Sequence, residues 1–265
     1  MLASFGFLTN IVSHLVGALA DTPLPRFARG FIIGTFARLI RADLSEAEMQ
    51  PTAYRSCGEY FARALKLGVR PLATTPICSP ADGTIRNITA AAQPLEQIKG
   101  QKYTIAELLA ENLASINEFS GGSVAVIYLA PHNYHRVHAP LSGVIESIRH
   151  IKGPLWPVNA WGLNRIKNLF CVNERVIMRG RSTLGTWALV MVGATNVGRI
   201  ELNWGDLKRI NAGESRTVTW EVEQGGEVGR FRLGSTVILV TSFKLQTLEQ
   251  ARAVRYGEAL HLSQA

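Results

Sequence analysis

Only three cysteines, Cys57, Cys78 and Cys171, occur in the 265 residues, an odd number at wide spacing. That rules out a closed disulfide framework and offers no Cys-x-x-Cys pair for a metal, so a reducing compartment fits best. There is no run of five or more basic residues, no aromatic RNP-like segment and no zinc-finger spacing, so the usual signatures of nucleic-acid binding are missing. A membrane-spanning apolar run is missing too. Residues 5–20 are largely apolar, but Asn10, Ser13 and His14 interrupt them and the stretch falls short of the roughly 20 residues a spanning helix needs. No Lys or Arg precedes it, so although Ala18-Leu19-Ala20 imitates a cleavage site, secretion is not expected.

What is present is material for a folded enzyme-sized body. Apolar residues make up 47% and charged residues 18%, which permits one sizeable core with a smaller attached element. Lys and Arg outnumber Asp and Glu by 28 to 20, a formal charge of +8 that suits an anionic partner. With nucleic-acid signatures absent, an acidic bilayer is the better match. After the turn signal Pro23-Leu24-Pro25, Ile32, Phe36, Leu39 and Ile40 recur at helical spacing with Arg26, Arg29, Arg38 and Arg41 interspersed. This predicts an amphipathic helix that lies on lipid, its arginines reaching head groups; the alternative is a helix packed on its own domain. Ser45 with Glu48 three residues on reads as a helix start, and a further helix is expected over 54–67 with Tyr60, Phe61 and Leu65 buried.

Beyond Pro71 the texture becomes β-rich, with strands expected at 124–129, 144–148, 187–192 and 237–240 and a helix over 104–113. The fold class is therefore α+β, a β-rich body preceded by N-terminal amphipathic helices. Within the body, Ser79-Pro80-Ala81-Asp82-Gly83-Thr84-Ile85 and Ala139-Pro140-Leu141-Ser142-Gly143-Val144-Ile145 repeat one pattern of small residue, proline, two spacers, glycine, spacer and isoleucine. Two similar turn-to-strand corners follow, proline fixing φ on the way in and glycine permitting the sharp exit. They resemble the turn-strand units of lipoyl and biotinyl carrier domains, but no lysine stands at the tip to carry a prosthetic group.

Three constellations carry chemistry. Asp82 sits in a rigid turn where a carboxylate could orient a histidine, although Asp before Gly is also an ordinary turn pairing. Residues 131–140 hold three of the six histidines, His132, His135 and His138. Their spacing of three and three fits neither one face of a strand nor the i, i+4 geometry of helical zinc motifs, so no metal is assigned; structural capping and acid-base work remain. Gly234-Ser235-Thr236 leads straight into the apolar run 237–240, and by itself is a turn.

Taken together, Gly234-Ser235-Thr236 with Phe231, Tyr134-His135-Arg136-Val137-His138 with Pro140, Ser79-Pro80-Ala81-Asp82-Gly83, and Lys152-Gly153-Pro154-Leu155-Trp156-Pro157-Val158-Asn159 resemble the bacterial phosphatidylserine decarboxylase proenzymes. His132-Asn133 departs from the family's usual pair and receives no role. The resemblance implies a triad in which Asp82 orients His138 and His138 takes the proton from Ser235. The chain would then cut itself between Gly234 and Ser235 into a β chain of residues 1–234 and an α chain of residues 235–265. Ser235 would become a pyruvoyl group, a covalently held pyruvate that forms a Schiff base with the substrate amine. The substrate implied is phosphatidylserine and the products phosphatidylethanolamine and CO2, with His135 as a second histidine for recognition or protonation.

The expected organisation is an N-terminal helical membrane-associating region, 1–70, and a β-rich catalytic domain, 71–265. The resemblance further implies association of the β and α chains, a homodimer, and a peripheral seat on the cytoplasmic face of the cell membrane. Two other readings stand beside it: a pyruvoyl decarboxylase of a soluble amino acid, which has no need of the N-terminal segment, and a non-catalytic β-rich lipid-binding module in which Ser235 is only a turn residue.

Overall fold

The computed structural model describes residues 17–91, 95–98, 101–195, 200–205, 210–211, 213–232 and 235–263. Most of the apolar stretch 5–20 and the cleavage-site Gly234 lie outside them. The strands are β1 (Gly83–Ala90), β2 (Leu95–Ile98), β3 (Gln101–Tyr103), β4 (Ser123–Leu129), β5 (Arg136–His138), β6 (Gly143–Ile151), β7 (Arg175–Ser182), β8 (Gly185–Val192), β9 (Ile200–Leu202), β10 (Ser215–Val222), β11 (Glu227–Phe231), β12 (Ser235–Thr241) and β13 (Arg252–Val254). The four strands expected from the sequence are β4, β6, β8 and β12, and the mixture of sheet and helix is α+β.

Eight strands form one antiparallel sheet in the order β10-β6-β7-β8-β12-β4-β1-β13. This order has an internal two-fold character. The run β1, β4, β12, β13 has the same pairing pattern as β6, β7, β8, β10, and the halves meet where β12 pairs β8. The two proline-glycine corners are the equivalent points. They bond each other reciprocally, Cys78 N–H to the Pro140 carbonyl and His138 N–H to the Pro80 carbonyl, each at 2.8 Å. Each corner ends in a glycine because a side chain there has no room: a Cβ on Gly83 would run into the Tyr128 carbonyl and one on Gly143 into that of Arg181. β12 and β8 are buried along nearly their whole length, as near-continuous apolar strands at the centre of a sheet should be.

The smaller β5-β11-β9 sheet lies on the connection between the halves and is stitched by the Arg136–Glu227 and Arg232–Glu201 ion pairs. At the N-terminal side, the Arg29–Ile40 helix forms as the arginine-interspersed periodicity requires. Its buried stripe is Ile33, Gly34 and Ala37, packed with Tyr54 and Tyr60 in a separate apolar cluster, whereas Leu39 points outward with Phe27 and Phe31. The expected helix start at Ser45 is not formed, because Asp43 Oδ1 accepts from both the Ser45 backbone N–H and its hydroxyl, closing a turn instead. Over 54–67 the helix shrinks to Cys57–Phe61, capped by Ser56, and over 104–113 to Ile105–Leu109, where Thr104 and Glu107 form a capping box. In the second case Ala110 adopts positive φ at the C-cap and ends the helix.

Candidate active site

Ser235 opens β12, opposite Leu129, the last residue of β4. The chain leaves β4 through the histidine loop and enters β5, and the Phe231 N–H donates to the His135 carbonyl at 2.9 Å. Strand pairing therefore brings the serine and the histidines to one end of the sheet. The Ser235 side chain is fully buried, and its hydroxyl has no hydrogen-bond partner among the described residues. Leaving a buried hydroxyl unsatisfied costs about 1–3 kcal/mol. Thr236 Oγ1 likewise has no partner among the described residues, but strand alternation turns it to the opposite face of β12.

His138 is held from several sides. Its Nδ1 lies 2.8 Å from the Gly225 carbonyl, which can only accept, so Nδ1 carries the proton and Nε2 accepts from the Tyr134 hydroxyl at 3.0 Å. The ring stacks on Tyr256, centroids 3.7 Å apart. Burial pushes its pKa down to about 4, leaving it neutral. His135 is wholly buried against the Phe61 ring at 4.1 Å, with Nδ1 donating to the Asn133 carbonyl at 2.9 Å. That fixes its tautomer too, and its Nε2 lone pair has no partner among the described residues. Burial takes its pKa down to about 3.

Asp82 does not bond His138 in this structure. Its carboxylate accepts from Arg70, Nη2 at 2.7 Å and Nε at 3.1 Å, and from the Tyr256 N–H at 2.8 Å. Arg70 in turn binds Glu46, whose carboxyl it holds below its usual range. Asp82 thus reaches His138 through Tyr256, fixing the backbone of the residue whose ring stacks on the imidazole. The equivalent corner clarifies what is special here. Ser142 stands at the Asp82 position and caps the Gln224 N–H at 2.9 Å, as Asp82 caps Tyr256. Gly185 stands at the Ser235 position, closing a tight β7–β8 hairpin with Ser182. One half of the sheet keeps only the turn function, and the other substitutes a carboxylate and a hydroxyl.

Of the sequence-derived site, Asp82 and His138 are linked through Tyr256, and the His135 carbonyl accepts from the Phe231 N–H, while no hydrogen bond joins the Ser235 hydroxyl to any of the three among the described residues. Tyr134, Tyr256 and Arg70 were not assigned roles from sequence; Tyr134 stood within the quoted motif, while nothing local marks Tyr256 or Arg70. Lys152–Asn159 serves packing: Leu155, Trp156 and Val158 are buried, and Asn173 clasps the Trp156 backbone at both N–H and carbonyl.

A model of the phosphatidylserine decarboxylase family matches residues 57–261, a span containing all of these groups. The chain belongs to that family. A phosphatidylserine decarboxylase proenzyme from Azotobacter vinelandii is 37% identical over 87% of this chain and 85% of its own length. The protein of that name from Pseudomonas fluorescens Pf-5 is 36% identical over 96% and 93%, and that from Bordetella pertussis 37% identical over 96% and 90%. The family match leaves out the N-terminal residues, whereas the pairwise similarity to the Pseudomonas and Bordetella proteins extends over nearly the whole chain. The chemistry of the residues at hand is what a prosthetic group made from Ser235 would need: a buried hydroxyl at a strand mouth and a neutral imidazole, His135, with neither the hydroxyl nor His135 Nε2 partnered among the described residues.

Proposed function

We propose that the chain is a self-processing decarboxylase of phosphatidylserine whose pyruvoyl group derives from Ser235. The observation that carries this reading is the buried Ser235 hydroxyl at the mouth of the central strand, without a partner among the described residues, in a chain of this family. Maturation begins when the Tyr134 hydroxyl gives up His138 Nε2, freeing that nitrogen to take the Ser235 proton. The serine oxygen attacks the Gly234 carbonyl carbon, and the peptide becomes an ester as the C–N bond breaks. Loss of the α proton with expulsion of the 1–234 carboxylate leaves dehydroalanine at 235, and water replaces its nitrogen as ammonia. Asp82 acts through Tyr256, keeping the imidazole plane fixed while its charge changes.

In the mature enzyme the pyruvoyl group supplies the electron sink for the pair released as CO2 departs. His135, neutral and with no Nε2 partner among the described residues, is suited to accept a hydrogen bond from the substrate. The β chain 1–234 and α chain 235–265 stay joined because β12 is hydrogen-bonded on both sides, to β4 and β8.

The division into an N-terminal membrane-associating region, 1–70, and a catalytic domain, 71–265, belongs to the same proposal, as do the homodimer and a peripheral seat on the cytoplasmic membrane face. Phe27, Phe31 and Leu39 are exposed near Arg26, Arg29, Arg38 and Arg41, which suits an anionic lipid surface. Among the described residues no helix is long and apolar enough to cross a membrane.

Intact-mass measurement tests the central claim. The purified chain should yield two pieces, the smaller one starting with a pyruvoyl group, and Ser235→Ala should remain one piece without decarboxylase activity. An uncut wild-type chain that still releases CO2 from phosphatidylserine would falsify the assignment. His138→Ala should block cutting, whereas His135→Ala should cut and fail at decarboxylation; the reverse result exchanges the two roles.

A further inference from the structure

We propose that Arg63 binds an oxyanion of the substrate head group beside His135; this deepens the decarboxylase reading and rests on it. Arg63 is only 3% exposed. Its Nη2 donates to the His132 carbonyl at 3.3 Å, but Nε and Nη1 are buried with no partner among the described residues. Its guanidinium carbon lies 5.0 Å from the centre of the Tyr60 ring, and among the described residues no carboxylate forms an ion pair with it.

The comparison that matters is Arg175, buried as deeply at 2%. There the fold satisfies all three nitrogens with backbone carbonyls: Nε with Leu108, Nη1 with Cys171 and Asn173, and Nη2 with Glu107. That is how this protein treats a buried arginine whose work is structural. Arg63 is instead a buried guanidinium whose Nε and Nη1 have no partner among the described residues, an arrangement that an anion would complete. Its surroundings are those of the site. Phe61, two residues before it, packs on His135; the Ala62 carbonyl accepts from Arg136; and the Arg63 charge itself opposes protonation of His135. The open Nε and Nη1 donors point from different edges of the guanidinium plane, and each can give a charge-assisted hydrogen bond to an oxyanion; the substrate head group carries two, a carboxylate and a phosphodiester.

The test uses full-length Arg63→Gln and Arg63→Lys proteins. A denaturing gel first checks that each has cut into two chains. Initial rates are then measured with phosphatidylserine in mixed micelles, together with inhibition by glycerophosphoethanolamine, which has the phosphodiester and no carboxylate. Arg63→Gln should raise KM on the order of 10- to 100-fold, the scale of charge-assisted hydrogen bonds, with Arg63→Lys in between. A matching rise in the inhibition constant identifies the phosphodiester as the bound group, and a rise in KM alone identifies the carboxylate. Unchanged KM in a processed Arg63→Gln protein overturns the proposal. Should Arg63→Gln remain uncut, Arg63→Lys carries the same comparison, and an unchanged KM there overturns it equally. A wild-type protein that releases no CO2 from phosphatidylserine defeats the decarboxylase reading itself, whereas an active wild type with unaffected variants defeats only the assignment of Arg63.

Discussion

Burial makes both histidines of the site neutral, and neutrality has a measurable cost. In an unfolded chain each imidazole titrates near its ordinary value of about 6.5. In the folded chain His138 titrates near 4 and His135 near 3, so between those values and 6.5 the unfolded state binds more protons. Their contribution is therefore fully present above about pH 6.5 and is lost as the pH falls through the folded values. For the uncut Ser235→Ala chain, the urea midpoint should drop on going from pH 7 to pH 4.5 by the equivalent of about 2–3 kcal/mol per histidine. Replacing His135 by Phe should flatten that slope; an unchanged slope would remove His135 as its source. The stack on His138 gives a second expectation. Tyr256→Phe keeps the ring and should cut at close to the normal rate, whereas Tyr256→Leu should slow cutting at least tenfold, followed by gel over time. Equal rates in the two variants would exclude positioning by the ring.

At the scale of elements, the two proline-glycine corners offer an internal control. Alanine at Gly83 or at Gly143 collides with a neighbouring strand's carbonyl, and each should cost about 1–3 kcal/mol, read from thermal unfolding. Only Gly83→Ala should also impair self-cleavage, because only its corner carries Asp82; an equal loss of cutting in Gly143→Ala would make the effect one of general stability. These corners were legible in the sequence because proline and glycine act within a few residues. The helix expected at Ser45 was not, because Asp43 competes locally for the same N–H. The stripe of the Arg29–Ile40 helix was only half legible: periodicity identified a helix but not which apolar residues the partners Tyr54 and Tyr60 would cover.

Across the whole molecule, the exposed Phe27, Phe31 and Leu39 lie outside both apolar clusters. Changing all three to serine should leave thermal stability within about 0.5 kcal/mol, the usual range for surface positions. Association with phosphatidylserine vesicles in a flotation assay should fall on the order of 100-fold, if each side chain gives up about 1 kcal/mol of insertion. Undiminished flotation would move the lipid contact to another face.

By itself the sequence determined the local units: the apolar strands, the two glycine corners, the histidine loop and the serine at a strand mouth, all written in residues close together along the chain. Tertiary structure decided the rest. That Ser235 is buried with no hydroxyl partner among the described residues depends on β12 being paired between β4 and β8, which come from distant parts of the chain. That Asp82 answers to Arg70 and Tyr256 rather than directly to His138 depends on contacts 12 and 174 residues apart. Hydrogen bonds of that kind are fixed by where strands meet, and no short motif encodes which donor will arrive first.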